Sequence, residues 1–132
     1  MPESLYEVIY GSVIAPHETP AVVPAILARA RAANAANGIT GLLVFDGMRF
    51  LQHIEGPPAN VGRLWERIAS DPRHTDVRVI YRGVLAQRRY KRFEMGFAEP
   101  PETEDVDSLG GLMGEAALQR FLALRAQFDI QG

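Results

Sequence analysis

The chain has 132 residues, 47% of them hydrophobic and 23% charged, with a formal charge of −2 and no cysteine. That balance describes one globular domain long enough to bury a core, and it excludes a disordered or fibrous chain. The missing thiol excludes disulfides, a cysteine nucleophile, iron–sulfur clusters and cysteine zinc sites, while the slight negative charge supplies no field for nucleic acid or anionic lipid.

His17, His53 and His74 are the three imidazoles, and none shares the short spacing of a helical metal motif, so no metal is expected. The opening MPESLYEVIYGS lacks the basic-then-apolar order of a signal peptide. No apolar run approaches the roughly 20 residues that span a bilayer, so a cytoplasmic domain without a membrane partner is expected.

SLYEVIYGSVI, residues 4–14, is rich in β-branched and aromatic side chains and reads as a first strand. Alternation places Tyr6, Val8, Tyr10 and Ser12 on one face and Leu5, Glu7, Ile9 and Val13 on the other. Thr19 before Pro20 marks a helix start. The stripe Val23, Ile26, Leu27, Ala30, Asn34 follows at helical spacing until Asn37-Gly38 ends it. ITGLLVFDG is a nearly continuous apolar run, suited to a strand covered on both faces. Asp46-Gly47 turns the chain into a third strand, Met48 to Glu55. Gly56-Pro57-Pro58 leads to a second helix that buries Val61, Leu64, Trp65 and Ile68 and closes at Asp71-Pro72. Val77 to Leu85 alternates as a fourth strand, and Glu94 to Ala98 reads as a short fifth. Pro100 to Asp107 has the composition of an acidic linker. Beyond it Leu118, Phe121, Leu122, Leu124 and Phe128 give a terminal helix an apolar face.

The order β-α-β-β-α-β-β specifies an α/β (α+β) ferredoxin-like sandwich with a five-stranded mixed sheet. Right-handed crossovers put the first two helices on one face, leaving the other for the terminal helix. Residues 1–98 form the folded domain and 99–132 the linker and helical cap.

Three polar side chains fall where the pattern asks for hydrocarbon. Asn34 continues an aliphatic stripe, Gln52 lies between Phe50 and Ile54, and Tyr10 shares a face with Val8. A buried amide or hydroxyl without a partner costs about 1–3 kcal/mol, so each must bond to protein or ligand. Taken singly, backbone or water satisfies each. Brought together, they make a polar cluster walled by Ile39, Leu43, Phe50 and Met95, suited to a planar heteroaromatic with alternating donors and acceptors.

IYGS, NAANGITGLLVFDG, FLQHIEG, SDPRHTDVRV and AQRRYKRFEMGF, in that order, resemble the blue-light-sensing flavin domain called BLUF over about residues 4–98. The resemblance implies FAD as cofactor and blue-light sensing without turnover of a substrate. By similarity, Tyr10 donates an electron and a proton to photoexcited flavin. Gln52 bridges its hydroxyl to the ring edge and is left rotated or tautomerised, and Met95 senses that change. Asn34 would hold the ring's pyrimidine side, with Ile39, Leu43 and Phe50 as apolar walls and Arg73 and His74 near the cofactor's polar tail. Phe93 stands where many relatives carry tryptophan, and Ala33 where some carry a polar residue. The output implied is a light-dependent contact with a separate signalling protein, in an oligomer such as a dimer.

Arg78, Arg82, Arg88, Arg89, Lys91 and Arg92 form a basic run. Without interleaved aromatics it is read as pairing with Glu99, Glu102, Glu104 and Asp105, and no nucleic-acid partner is expected. His53, flanked on its face by Leu51 and Glu55, belongs under the terminal helix. Two other function classes compete with a photosensor. One is a flavin or small-ligand module without photochemistry. The other is an acylphosphatase-like hydrolase, for which no phosphate-cradling loop with an arginine and asparagine is present between the first strand and helix.

Overall fold

Strand-forming runs and two proline-started helices alternate as the sequence dictates in the computed structural model, which describes residues 4–90, 95–99, 112–126, 128 and 130. The elements are β1 (Leu5–Ile14), a 3-10 turn (Pro20–Val22), α1 (Val23–Asn37), β2 (Thr40–Phe45), β3 (Arg49–Gly56), α2 (Pro58–Ala69), β4 (His74–Leu85), β5 (Gly96–Ala98) and α3 (Glu115–Arg125). The sheet order is β4-β1-β3-β2-β5, antiparallel except for β2 against β5. This is the expected five-stranded mixed sheet. β3 lies between β1 and β2, and β1 between β3 and β4, so each βαβ unit skips one strand and carries its helix to the same face.

Two apolar layers result. Val8, Ile39, Leu43, Phe50 and Ile54 meet Val23 and Leu27 of α1 and Val61 of α2 on one side. Ile9, Leu42, Val44, Leu51 and Ile80 meet Ala117, Leu118, Phe121 and Leu124 of α3 on the other. The alternation read from β1 therefore holds, and α3 covers the reverse face. A fully buried Phe121 side chain contributes about 1.5–3 kcal/mol to that docking.

Several boundaries differ from the sequence reading. Thr19 makes no side-chain cap, and Pro20 opens a 3-10 turn before α1 begins at Val23. Gly38 does close α1 in the left-handed conformation, at φ 67°. β4 begins at His74 instead of Val77, because Thr75 and His74 still pair with Val13 and Ile14 of β1 across a register shift. Asp76 takes φ 52° within that irregular stretch. The linker read at Pro100–Asp107 and Glu94, the first residue of the expected fifth strand, lie outside the described residues, and β5 begins at Gly96, after Met95.

The basic run is also resolved differently where it is described. Arg88 donates to Thr40 Oγ1 at 2.9 Å and to the Gly38 carbonyl at 2.7 Å, and Arg89 pairs with Glu7 at 2.9 Å. Glu7, a buried carboxylate of β1, is a counter-charge for Arg89 that the run itself does not reveal. The other acids proposed as partners, Glu102, Glu104 and Asp105, lie outside the described residues. No helix among the described residues is long and apolar enough to cross a membrane.

Candidate functional site

Tyr10 and Gln52 are cross-strand partners in β1 and β3, and Leu43 of β2 opposes Gln52 on its other side. Partners in an antiparallel pair project to the same face, here the one under α1 and α2. The register of β1 against β4 shifts between Ile9 and Tyr10, an irregularity of the kind that re-aims a side chain beside a site. The Tyr10 hydroxyl donates to Gln52 Oε1. Gln52 Nε2 in turn donates to Met95 Sδ at 3.4 Å, immediately before β5. Arg31 of α1 holds the Met95 carbonyl at 3.0 Å.

Tyr10 is buried, and burial pushes its hydroxyl well above the ordinary phenol range, with the Asp71 charge adding to the effect. It therefore stays a neutral phenol and the direction of its bond is fixed: phenol O–H to amide oxygen. The amide is thereby oriented, oxygen toward Tyr10 and nitrogen toward sulfur. The ring is flanked by Trp65 of α2, 5.4 Å between centroids and tilted 58°, and by His74, edge-on at 6.2 Å. His74 is itself clamped, Nε2 donating to the Ile68 carbonyl at 2.6 Å and Nδ1 bonded to Ser12 Oγ at 2.8 Å. In the neutral ring this makes Nδ1 the acceptor.

Above Gln52 a cleft of about 560 Å³ opens between α1 and α2, within the range of small-molecule sites. Asn34, Gln52 and Ser70 are among its polar groups, Ile26, Ala30, Leu64 and Ile68 among its apolar walls, and Arg29, Arg67 and Arg73 place three cations in its lining beside the carboxylate of Asp71. A smaller inner cavity of about 40 Å³ is shared by Tyr10, Leu43, Phe50, Gln52, Arg73 and His74, among others. Arg73 is held against Asp71 by contacts of 2.6 to 3.1 Å. This pairing draws the Asp71 carboxyl below its ordinary range.

Of the residues singled out in the sequence, Tyr10, Asn34, Leu43, Phe50, Gln52, Arg73 and His74 line one or both spaces. Met95 joins them through its bond to Gln52. Ile39 lies in the same apolar layer, at the head of β2, and lines neither space. Phe93 is outside the described residues. The sequence reading missed Ile26, Leu64 and Ile68 as walls and Arg29 and Arg67 as lining cations. The helical stripes contained the aliphatic ones, but spacing alone does not separate a cleft wall from core. Trp65 was read as core, and its contact with Tyr10 carries no signature in spacing.

The donor set fits a flavin: side-chain amides for a ring edge of alternating donors and acceptors, hydrocarbon for the ring faces, and arginines for an anionic tail. A family model described as sensors of blue-light using FAD matches residues 5–96. The chain belongs to this BLUF family. The BLUF domain binds FAD and senses blue light.

Residues of this BLUF chain are 42% identical over 66 positions to photoactivated adenylate cyclase subunit beta of Euglena gracilis, covering 50% of this chain and 8% of that protein. A Klebsiella pneumoniae BlrP1 structure with manganese and cyclic diGMP superposes with TM-score 0.70 at 36% identity, over 76% of this chain and 26% of that one. The dark-state structure of the BLUF protein BlrB superposes with TM-score 0.81 at 26% identity, over 96% of this chain and 98% of that one. The chain thus spans under a tenth of the curated cyclase it matches and nearly all of BlrB.

Proposed function

We propose that the buried chain Tyr10–Gln52–Met95 is the light switch of this BLUF domain. The observation that carries this reading is the hydrogen bond from the Tyr10 hydroxyl to Gln52 Oε1 at the base of the cleft between α1 and α2. Asn34 and Gln52 would hold the ring edge of FAD, Leu43 and Phe50 would pack beside it, and Arg73, with Arg29 and Arg67, would meet the diphosphate. Bound there, FAD supplies a chromophore whose blue-light excited state is a strong one-electron oxidant.

Tyr10 is the electron donor in this scheme. A phenol that has lost an electron becomes a strong acid, and the atom that already accepts its hydrogen bond is Gln52 Oε1; electron and proton then return to Tyr10, so the switch involves no net oxidation. Gln52 is then the element with two orientations. Among the described residues its nitrogen is held by a thioether, a weak acceptor, so the protein itself does little to oppose a half-turn of the amide. The turned amide presents a donor to Tyr10 where it had presented an acceptor, and it places oxygen against a sulfur that cannot donate. Met95 thereby feels the change, and the Met95 carbonyl connects it to Arg31 of α1. A local exchange of donor and acceptor biases a larger two-state element in this way.

We further propose that residues 1–98 are the sensor, that 99–132 cap it, and that the output is contact with a separate effector in the cytoplasm, not catalysis by this domain. The near end-to-end match to BlrB supports a short sensor of this kind. The test is the visible spectrum of FAD-loaded protein before and after blue light. A red shift that reverses in the dark is expected, with Tyr10→Phe and Gln52→Leu retaining FAD but losing the shift. A colourless protein that cannot be loaded with FAD, or a normal photocycle in either variant, overturns the assignment. A bound but light-insensitive flavin would leave the alternative of a simple binding module.

A further inference from the structure

On the opposite face of β3 from Gln52, the next residue, His53, sits at the centre of a second polar chain. His53 is fully buried, as are Glu7 and Glu55, and Tyr90 is nearly so. His53 Nε2 lies 2.7 Å from Glu7 Oε1 and Nδ1 lies 2.8 Å from the Tyr90 hydroxyl. Arg89 donates to both Glu7 oxygens, at 2.9 and 3.2 Å. Glu55 accepts the backbone amides of Arg89 and Tyr90, each at 2.8 Å. From α3, Phe121 meets the His53 ring edge-on at 5.3 Å, and the Arg125 guanidinium stands 5.1 Å above the Tyr90 ring.

Hydrogen-bonding capacity fixes every proton here. The paired Glu7 carboxylate only accepts, so His53 Nε2 carries the proton and donates. In the neutral ring Nδ1 must then accept, which makes the Tyr90 hydroxyl the donor. Burial pushes the Tyr90 hydroxyl well above its ordinary range, so that proton stays in place. Burial likewise lowers the basicity of His53 against the opposing pull of Glu7 and Glu55, which keeps the ring neutral.

We propose that the chain Arg125–Tyr90–His53–Glu7–Arg89 is a proton-operated latch that holds α3 on the sheet and loosens it when His53 takes a second ring proton. That proton would turn Nδ1 into a donor pointing at a hydroxyl already donating toward it. The hydroxyl hydrogen would have to swing to the side where Arg125 stands, and a guanidinium offers no acceptor. Burial acts in the same direction, and the Arg89 charge adds to it, while Glu7 and Glu55 pull the other way. Among the described residues, the remaining titratable groups around the latch are Tyr81 of β4, Glu115 in the first turn of α3, and Arg88, which reaches Glu55 through Thr40. β2 presents Leu42 and Val44 to this face.

The sign follows from linkage. His53 binds its second proton less readily folded than unfolded, so stability falls as pH drops below the unfolded imidazole value of about 6.5. Glu7 is held below its ordinary value despite its burial, by its bonds to His53 and Arg89. Its contribution is present above the unfolded carboxyl value and lost as pH falls further, through the folded one. The His53 step therefore comes first on acidification.

The test is amide hydrogen exchange on the full FAD-loaded chain, corrected for intrinsic rates, at about pH 7.5 and about pH 5.5. Exchange across residues 115–125 should rise roughly tenfold at the lower pH while β3 stays protected. In His53→Gln the side chain can still donate to Glu7 and accept from Tyr90 but cannot titrate. Its α3 exchange should not respond to pH. Equal protection at both pH values in the unmodified chain, or the unmodified acid response in His53→Gln, overturns the proposal. If that variant does not fold, the His53 ring titration followed by NMR decides. A midpoint coincident with α3 opening supports the latch, and one displaced by more than about one pH unit refutes it.

Discussion

Breaking the Tyr10–Gln52 bond from either side should cost more than removing both partners together would suggest. Both residues are buried, at 4% and 7% exposure. In Tyr10→Phe the Gln52 oxygen loses its donor, and in Gln52→Leu the phenol loses its acceptor. Each orphaned group should cost about 1–3 kcal/mol. The double variant Tyr10→Phe/Gln52→Leu leaves neither orphan, so its cost should fall well short of the sum of the two single costs. A coupling of about 1–3 kcal/mol is expected from the same bookkeeping of stranded groups. The assay is urea unfolding of all four proteins at saturating FAD, followed by circular dichroism, with ligand linkage held constant across the cycle. Additivity to within about 0.5 kcal/mol would show that the two groups do not hold one another, and the switch geometry would fall with it.

Three further outcomes follow from other parts of the structure. Phe121→Ala should destabilise the protein by about 3–5 kcal/mol and expose α3 to exchange while leaving the FAD spectrum unchanged, since its ring packs on the reverse face; a cost under about 1 kcal/mol would contradict that packing. Gly41→Ala would place Cβ 2.2 Å from the His53 carbonyl oxygen, so β2 and β3 must part beside Gln52, and a soluble variant with an unaltered red shift would contradict the close approach. The raised Tyr10 hydroxyl favours the folded state less as pH climbs past the unfolded phenol value of 10.0, so stability should decline above that pH and not before it. Denaturation midpoints between about pH 8 and pH 11 check this, and a decline beginning below about pH 9 would refute it.

Much of this was legible in the sequence because the relevant signals are periodic. Alternation in SLYEVIYGSVI assigned Tyr10 to the helix-covered face and Glu7 to the other, and the register of β1 against β3 then had to bring Tyr10 opposite Gln52. The α1 stripe placed Asn34 toward the core, where it is buried. What periodicity does not encode is contact between elements distant in the chain. Face neighbours placed His53 under the terminal helix beside Leu51 and Glu55, but nothing in the spacing brings Glu7 against its ring or Arg89 in from beyond β4. Arg89 itself was assigned to acidic residues near in sequence because a charge run carries no information about depth. β4 extended past its alternating core because backbone pairing with β1 tolerates the irregular His-Thr-Asp stretch. Ile39 fits an apolar wall by composition but packs at the head of β2, where Gly56 comes close to it.

The most direct test of the light switch is the difference spectrum of Gln52→Leu against the unmodified chain, both loaded with FAD and illuminated with blue light. A reversible red shift in the unmodified chain and none in Gln52→Leu is the result expected if the amide carries the change. An equal shift in both proteins would show that the spectral change arises without Gln52, and the assignment of the switch to the Tyr10–Gln52–Met95 chain would be wrong.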